Sequence, residues 1–135
     1  MLQKKIFIFD DDNQILDICS LVLEDGGFAS FVSDSVQDIV EKVVKIKPDV
    51  ILMDNWIPDV GGVKATQQLK NHPLTKWIPV IYISANCEIQ RIAAEAGADA
   101  YIAKPFDLCT FEEVVTAYAS IENGPTSPNE KQLRV

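Results

Sequence analysis

Short apolar runs alternate with segments of helical period along most of the chain. Lys5 to Phe9 is short, aromatic and isoleucine-rich, and predicts a first strand. Phe28 to Val32, Asp49 to Met53, Ile78 to Ile83 and Ala100 to Ala103 repeat that pattern. Val50-Ile51-Leu52-Met53 is a continuous apolar run, which suits a strand covered on both faces of a parallel sheet. Between these runs the apolar positions change to helical spacing. Ile15, Ile18, Cys19 and Val22 share one predicted helical face, and Val36, Ile39, Val40, Val43 and Val44 share another. Val63 to Asn71 is a weaker third helix. Ile89, Ile92, Ala93 and Ala96 predict a fourth, and Phe111, Val114, Val115 and Tyr118 a fifth. Ser35 with Asp38 three residues later resembles a capping box with Asp in the place of Glu, at the start of the second helix. Gly26-Gly27 and Gly97 are expected to stop the first and fourth helices, and Pro48 follows the second.

Five strands alternating with five helices predict an α/β fold, a parallel sheet with helices on both faces. In such a sheet the ligand crevice lies beyond the carboxyl ends of the strands. From Asn123 the chain turns polar, with Gly124, Pro125 and Pro128. Residues 1–122 are therefore expected to form one folded domain and residues 123–135 a flexible polar tail. A chain of 135 residues leaves no room for a second domain.

Composition narrows the class. Hydrophobic residues at 47% and charged residues at 24% suit a globular domain. Twelve basic against twenty acidic residues give a net charge of −8. That balance weighs against duplex DNA or an anionic membrane as a direct partner. No apolar run approaches the roughly 18–20 residues of a membrane span, and no signal-peptide core follows Met1. Cys19, Cys87 and Cys109 form no CxxC pair, which points to reduced thiols and a cytoplasmic location. His72 is the single histidine, too few for an ordinary zinc site.

The chemistry gathers at the predicted strand ends. Asp10, Asp11 and Asp12 follow the first strand, Asp54 the third, Ser84 the fourth, and Lys104-Pro105 the fifth. Each alone reads as a turn or a helix cap. A parallel sheet would bring all of them to one edge. Carboxylates crowded there must take up protons or recruit a cation. Mg²⁺, with Mn²⁺ as the alternative, suits oxygen ligands that include one or two carboxylates and a phosphate. Lys104 would add a charge for phosphoryl oxygens and Ser84 a hydroxyl donor, so that a carboxylate could serve as a nucleophile toward phosphorus.

On these residues the chain resembles the receiver domain of two-component response regulators, from about residue 4 to 121. The matching segments are Ile6 to Asp12, Pro48 to Asp54, Ile57-Pro58 with Gly62, Ile78 to Ala85, and Gly97 to Phe106. The resemblance implies a flavodoxin-like, doubly wound sheet of strand order 2-1-3-4-5 with five helices, in a stand-alone single-domain regulator. It implies that Asp54 accepts a phosphoryl group from a phosphohistidine. Asp11 and Asp54 would bind Mg²⁺ directly, with the backbone carbonyl of Trp56 as a third ligand and Asp10 acting through a metal-bound water. Lys104 would pair with the phosphoryl group, and Pro105 would follow a cis peptide bond. Ser84 would swing toward the phosphoryl oxygens and let Tyr101 turn inward, reshaping the face of the fourth helix, fifth strand and fifth helix. Trp56 and Asn86 would look over the phosphoryl group and modulate hydrolysis. The implied partners are a sensor histidine kinase or a histidine phosphotransferase and a downstream protein, with no direct DNA binding and no membrane. The chain would be a monomer or a weak phosphorylation-dependent dimer.

The chain departs from the family pattern at Gly61, where relatives carry Asp or Asn, and at bulky Trp56. Two rival readings use related chemistry. A Mg²⁺-dependent phosphohydrolase with an aspartyl nucleophile would want a second Asp two residues later, where Trp56 stands, and a cap insertion over the substrate. A flavin module would want a Gly-, Ser- or Thr-rich phosphate loop in place of Asp10-Asp11-Asp12. A phosphorylation switch, with no enzymatic activity beyond its own phosphorylation and dephosphorylation, fits the residues best.

Overall fold

The computed structural model describes residues 3–55 and 61–121. The elements alternate as β1 (Lys5–Phe9), α1 (Asn13–Asp25), β2 (Ala29–Ser33), α2 (Ile39–Ile46), β3 (Val50–Asp54), α3 (Gly62–Lys70), β4 (Val80–Ser84), α4 (Ile89–Ala96), β5 (Ala100–Ala103) and α5 (Leu108–Ala119). The strands form one five-stranded sheet in the order β2-β1-β3-β4-β5, and every neighbouring pair is parallel. The expected fold and strand order are both present.

Alternation along the strands builds two cores. Phe7, Phe9, Ile51, Met53, Val80 and Tyr82 pack against residues of α2, α3 and α4, including Val43, Leu69 and Ala93. Ile6, Ile8, Val50, Leu52, Ile81 and Ile83 face the other way and meet Leu16, Cys19 and Leu23 of α1 with Phe111 and Val115 of α5. β3 and β4 are buried at every position, as helices on both faces require. The edge strands β2 and β5 are more open. No helix of the described residues is long and apolar enough to cross a membrane.

Three local expectations need correction. The proposed capping box at Ser35 and Asp38 does not form. Asp38 occupies the N-cap of α2 with φ 54° and makes no side-chain cap bond, while the Ser35 hydroxyl accepts from the Gln37 N–H at 3.1 Å. That hydroxyl closes the short turn before α2 instead. On α1, the predicted stripe of Ile15, Ile18, Cys19 and Val22 holds for Cys19, which is buried, and for Ile15 and Val22, which pack partly buried against the same core, but not for Ile18. Leu16, Cys19 and Leu23 are the buried set, and Ile18 is 46% exposed. Helix α1 carries apolar residues over more than half its circumference, and only packing against the sheet selects the inward stripe. The second, third and fourth strands each start one or two residues later than their apolar runs and extend one residue further, to Ser33, Asp54 and Ser84. Backbone pairing continues past the last apolar side chain, because the ladder binds main-chain groups that every non-proline residue carries.

Trp56, Ile57 and Pro58 lie outside the described residues, as does the tail from 123 to 135.

Candidate functional site at the carboxyl edge of the sheet

The strand register decides which side chains meet. Phe9 pairs with Met53, so Asp10 and Asp54 leave adjacent strands at nearly the same level. Asp54 pairs with Ile83, one residue before Ser84. Ser84 pairs with Ala103, one residue before Lys104. The Lys104 N–H donates to the Ser84 carbonyl at 2.9 Å, which extends that ladder into the site. The Lys104–Pro105 peptide bond is cis, as expected.

Three carboxylates converge there. Oxygens of Asp10, Asp11 and Asp54 lie within 4.8 Å of one another. Asp10 is 1% and Asp54 4% exposed, whereas Asp11 faces solvent. Lys104 Nζ donates to Asp54 Oδ1 at 2.8 Å and to Asp10 Oδ2 at 3.2 Å. Burial pushes the Asp10 carboxyl above its ordinary value, against the opposing pull of the Asp12 N–H and of Lys104. For Lys104, burial disfavours the charge, but bonds and charges from Asp54 and Asp10 outweigh it and hold the ammonium above the ordinary lysine value. A lysine between two buried carboxylates partly neutralises them, and a small divalent cation beside exposed Asp11 would complete the balance. The donor set of three carboxylates, one open to solvent, fits such a hard cation.

Asp12 stands apart from this cluster. Its carboxylate accepts from the Gln14 and Ile15 N–H groups at 2.9 and 3.4 Å and caps α1. Its own N–H donates to Asp10 Oδ1 at 3.0 Å, so the cap also steadies Asp10. Asp12 is the helix starter expected, and Asp11 is one of the three carboxylates that could hold a cation.

Ser84 is 1% exposed, and its hydroxyl accepts from the Asn86 N–H at 3.0 Å. It keeps its own proton to donate. Asn86 is exposed in the turn before α4, where its side chain accepts from the Glu88 N–H at 2.8 Å. Tyr101 on β5 is 43% exposed. The Trp56 carbonyl expected on the metal lies outside the described residues.

Two features were missed in the sequence. An apolar hollow of about 410 Å³ adjoins Lys104 and is lined by Ile15, Ile18, Cys19, Pro105, Phe106 and Leu108. Exposed Ile18 on α1 was its signal. The second is Tyr82, fully buried in β4, whose hydroxyl donates to the side-chain oxygen of Asn55 next to Asp54.

Comparison with known proteins agrees with this geometry. Residues 6–116 match the response regulator receiver domain family. The chain is 36% identical over 110 residues to the phosphate regulon transcriptional regulatory protein PhoB of Pseudomonas aeruginosa, covering 78% of this chain and 47% of that protein. It is 37% identical over 108 residues to the DNA-binding dual master transcriptional regulator RpaA of a Synechocystis species, covering 77% and 44%. The chain thus spans about half the length of these curated relatives. Among solved structures, a response regulator from Chloroflexus aurantiacus superposes with a TM-score of 0.83 at 26% identity, over 88% of this chain and 99% of that one. The receiver domain of a sensor histidine kinase from Pseudomonas aeruginosa, described with a magnesium ion in its active-site cleft, superposes with a TM-score of 0.80 at 21% identity, over 88% and 99%; at that identity the likeness is one of fold. With the strand order, the carboxylate cluster and the family match in agreement, the chain belongs to the receiver domain family of two-component response regulators.

Proposed function

We propose that this chain is a phosphorylation-dependent signalling switch that accepts a phosphoryl group on Asp54 from a phosphohistidine. The observation that carries the reading is the bridge from Lys104 to Asp54 and Asp10, with Asp11 in the same cluster. An Asp54 carboxylate oxygen attacks phosphorus in line. A P–O bond forms as the P–N bond to the donor imidazole breaks, and the electron pair leaves on the imidazole nitrogen, which takes a proton. Lys104 already holds an ammonium against the accepting carboxylate and can follow the charge onto the phosphoryl oxygens. Ser84, one residue past the register partner of Asp54, can donate its hydroxyl to one of those oxygens. Asp11 and Asp54 would hold Mg²⁺ directly and Asp10 through water, with Mn²⁺ as a substitute and the Trp56 carbonyl as a further ligand. Bound there, the cation supplies positive charge that lets an anionic phosphoryl donor approach three carboxylates.

Movement of Ser84 toward the phosphoryl group would let exposed Tyr101 turn inward and change the α4–β5–α5 face that a downstream protein reads. Asn86 and Trp56 would tune hydrolysis. The implied donor is a sensor histidine kinase or histidine phosphotransferase, and the implied compartment is the cytoplasm. The magnesium ion described in the histidine-kinase receiver domain supports the choice of cation. Net charge −8 argues against direct DNA binding by this chain. The acceptor is tested by incubating the protein with acetyl phosphate and Mg²⁺ and following intact mass. A phosphoryl adduct is expected on the parent protein and none on Asp54→Asn; an equal adduct on the variant would overturn the assignment.

A further inference from the structure

Tyr82 puts a hydroxyl into the core of the sheet. β4 is buried at every residue, and an aliphatic or phenyl side chain there would need no hydrogen-bond partner. A buried phenol requires one. Tyr82 is fully buried, and its hydroxyl donates to the Asn55 side-chain oxygen, 27 residues earlier in the chain. Asn55 is the residue after Asp54.

Asn55 is also held through its main chain. Its N–H donates to the Ile83 carbonyl at 3.0 Å, and its carbonyl accepts from the Gly62 N–H at 3.3 Å. Helix α3 begins against the same spot. A Cβ on Gly62 would collide with the Asp54 carbonyl oxygen and lie 3.1 Å from Asn55 Cα and 3.1 Å from the Tyr82 hydroxyl. Only glycine allows that approach. Burial, with a smaller contribution from the negative charge of Asp54, pushes the Tyr82 phenol up to about 12, so the ring bears its proton and remains a donor. The exit of β3 is thus fastened by a side-chain bond, two main-chain bonds and a close-packed glycine.

We propose that the Tyr82 hydroxyl is a positioning group for Asp54, holding the end of β3 through Asn55 so that the accepting carboxylate keeps its line of attack. This rests on the assignment of Asp54 as the acceptor. In-line transfer depends steeply on placement, and Asn55 is one peptide unit from the acceptor. Tyr82 touches neither phosphoryl group nor cation and acts through Asn55.

The test uses Tyr82→Phe, Asn55→Ala and the double variant of the full chain. Acetyl phosphate is varied at saturating Mg²⁺, and Mg²⁺ affinity is measured separately by calorimetry without donor. Tyr82→Phe is expected to lower the saturating phosphorylation rate about tenfold with little change in the half-saturating donor concentration, and to weaken Mg²⁺ binding. Asn55→Ala should do the same, and the double variant should lose no more than either single one. A wild-type saturating rate in Tyr82→Phe, or losses that multiply in the double variant, would overturn the proposal. So would a loss of rate in Tyr82→Phe that disappears once the assay is cooled well below its melting temperature, since that would mark a general loss of folding. The parent protein separates the two readings: if it gains no adduct on Asp54, the acceptor assignment fails, whereas an adduct on Asp54 formed equally fast in Tyr82→Phe sinks only the positioning role.

Discussion

Lys104 Nζ lies 2.8 Å from Asp54 Oδ1, across 50 residues of sequence, and the same ammonium reaches Asp10 at 3.2 Å. The contact is made by strand order. β5 and β1 are separated in the sheet by β3 and β4, and the lysine stem crosses that gap above the sheet edge.

Lys104→Ala should therefore destabilise the protein when Mg²⁺ is absent. Asp10 and Asp54 stay buried but lose their cation, and breaking a buried ion pair from one side is costly. The Lys104 side chain is 23% exposed, so the loss should fall below the fully buried range, at about 1–3 kcal/mol. Because the folded-state Lys104 value is raised, its contribution is complete below the ordinary lysine value and is lost only as pH rises through the higher folded value. A thermal melt at neutral pH thus samples the pair at full strength. Added Mg²⁺ should restore more stability to Lys104→Ala than to the parent. A melting temperature equal to the parent's without Mg²⁺ would contradict this account.

Asp11 and Asp12 should separate cleanly. Asp12 caps α1, so Asp12→Ala should cost about 0.5–2 kcal/mol of stability and keep most Mg²⁺ affinity. Asp11 is exposed and makes none of the described hydrogen bonds with its side chain, so Asp11→Ala should fold normally and bind Mg²⁺ at least tenfold more weakly. Calorimetric titration beside a denaturant melt distinguishes the two. The reverse pattern would place the cation on the wrong aspartate.

Why some of this could be read from sequence and some could not follows from range. Apolar runs marked each strand, and the rule that ligands gather at carboxyl strand ends then collected Asp10, Asp11, Asp54, Ser84 and Lys104. The full inward face of α1 could not be read, because Leu16 and Leu23 have helical spacing as good as that of Ile15, Ile18, Cys19 and Val22. Only the sheet beneath decides which of them turn inward. The Tyr82–Asn55 bond was equally hidden. A tyrosine within Val80–Ile83 scores as one more apolar residue, and its partner is set by the β3–β4 register.

The three thiols should react in two classes. Cys87 and Cys109 are exposed, and Cys19 is buried in the core shared by α1 and α5. Burial, with a smaller contribution from the Asp10 charge, pushes the Cys19 thiol up to about 11, so little thiolate exists at neutral pH. A thiol reagent such as dithionitrobenzoate at pH 8 should release two equivalents quickly and the third only on unfolding. Three equally fast equivalents would show that α1 opens readily from the sheet.

The out-turned face of α1 leads to the last prediction. Ile18 is 46% exposed and Leu108 43% exposed, and both border the apolar hollow next to Lys104 and Pro105. Scattered apolar residues on a surface need no explanation, but these two flank a concave apolar surface that adjoins Lys104, the lysine bonded to Asp54. If Asp54 is the acceptor proposed above, a protein that delivers a phosphoryl group from a histidine must bring that histidine to Asp54 and rest part of its own surface nearby. Acetyl phosphate needs no such surface. Ile18→Lys places a charge on the rim without disturbing the buried set Leu16, Cys19 and Leu23, so stability should change by less than about 0.5 kcal/mol. Phosphorylation by acetyl phosphate should keep the parent rate. Transfer from a cognate phosphohistidine protein should slow about tenfold if that protein rests on this hollow, since a solvated ammonium is costly to press against an apolar surface. The effect should appear in the donor protein's half-saturating concentration and leave the saturating rate intact, because Asp54, Lys104 and Ser84 are untouched. Equal slowing with both donors would mean that the substitution reaches the acceptor site itself, and unchanged transfer from the histidine donor would mean that the partner docks on another face.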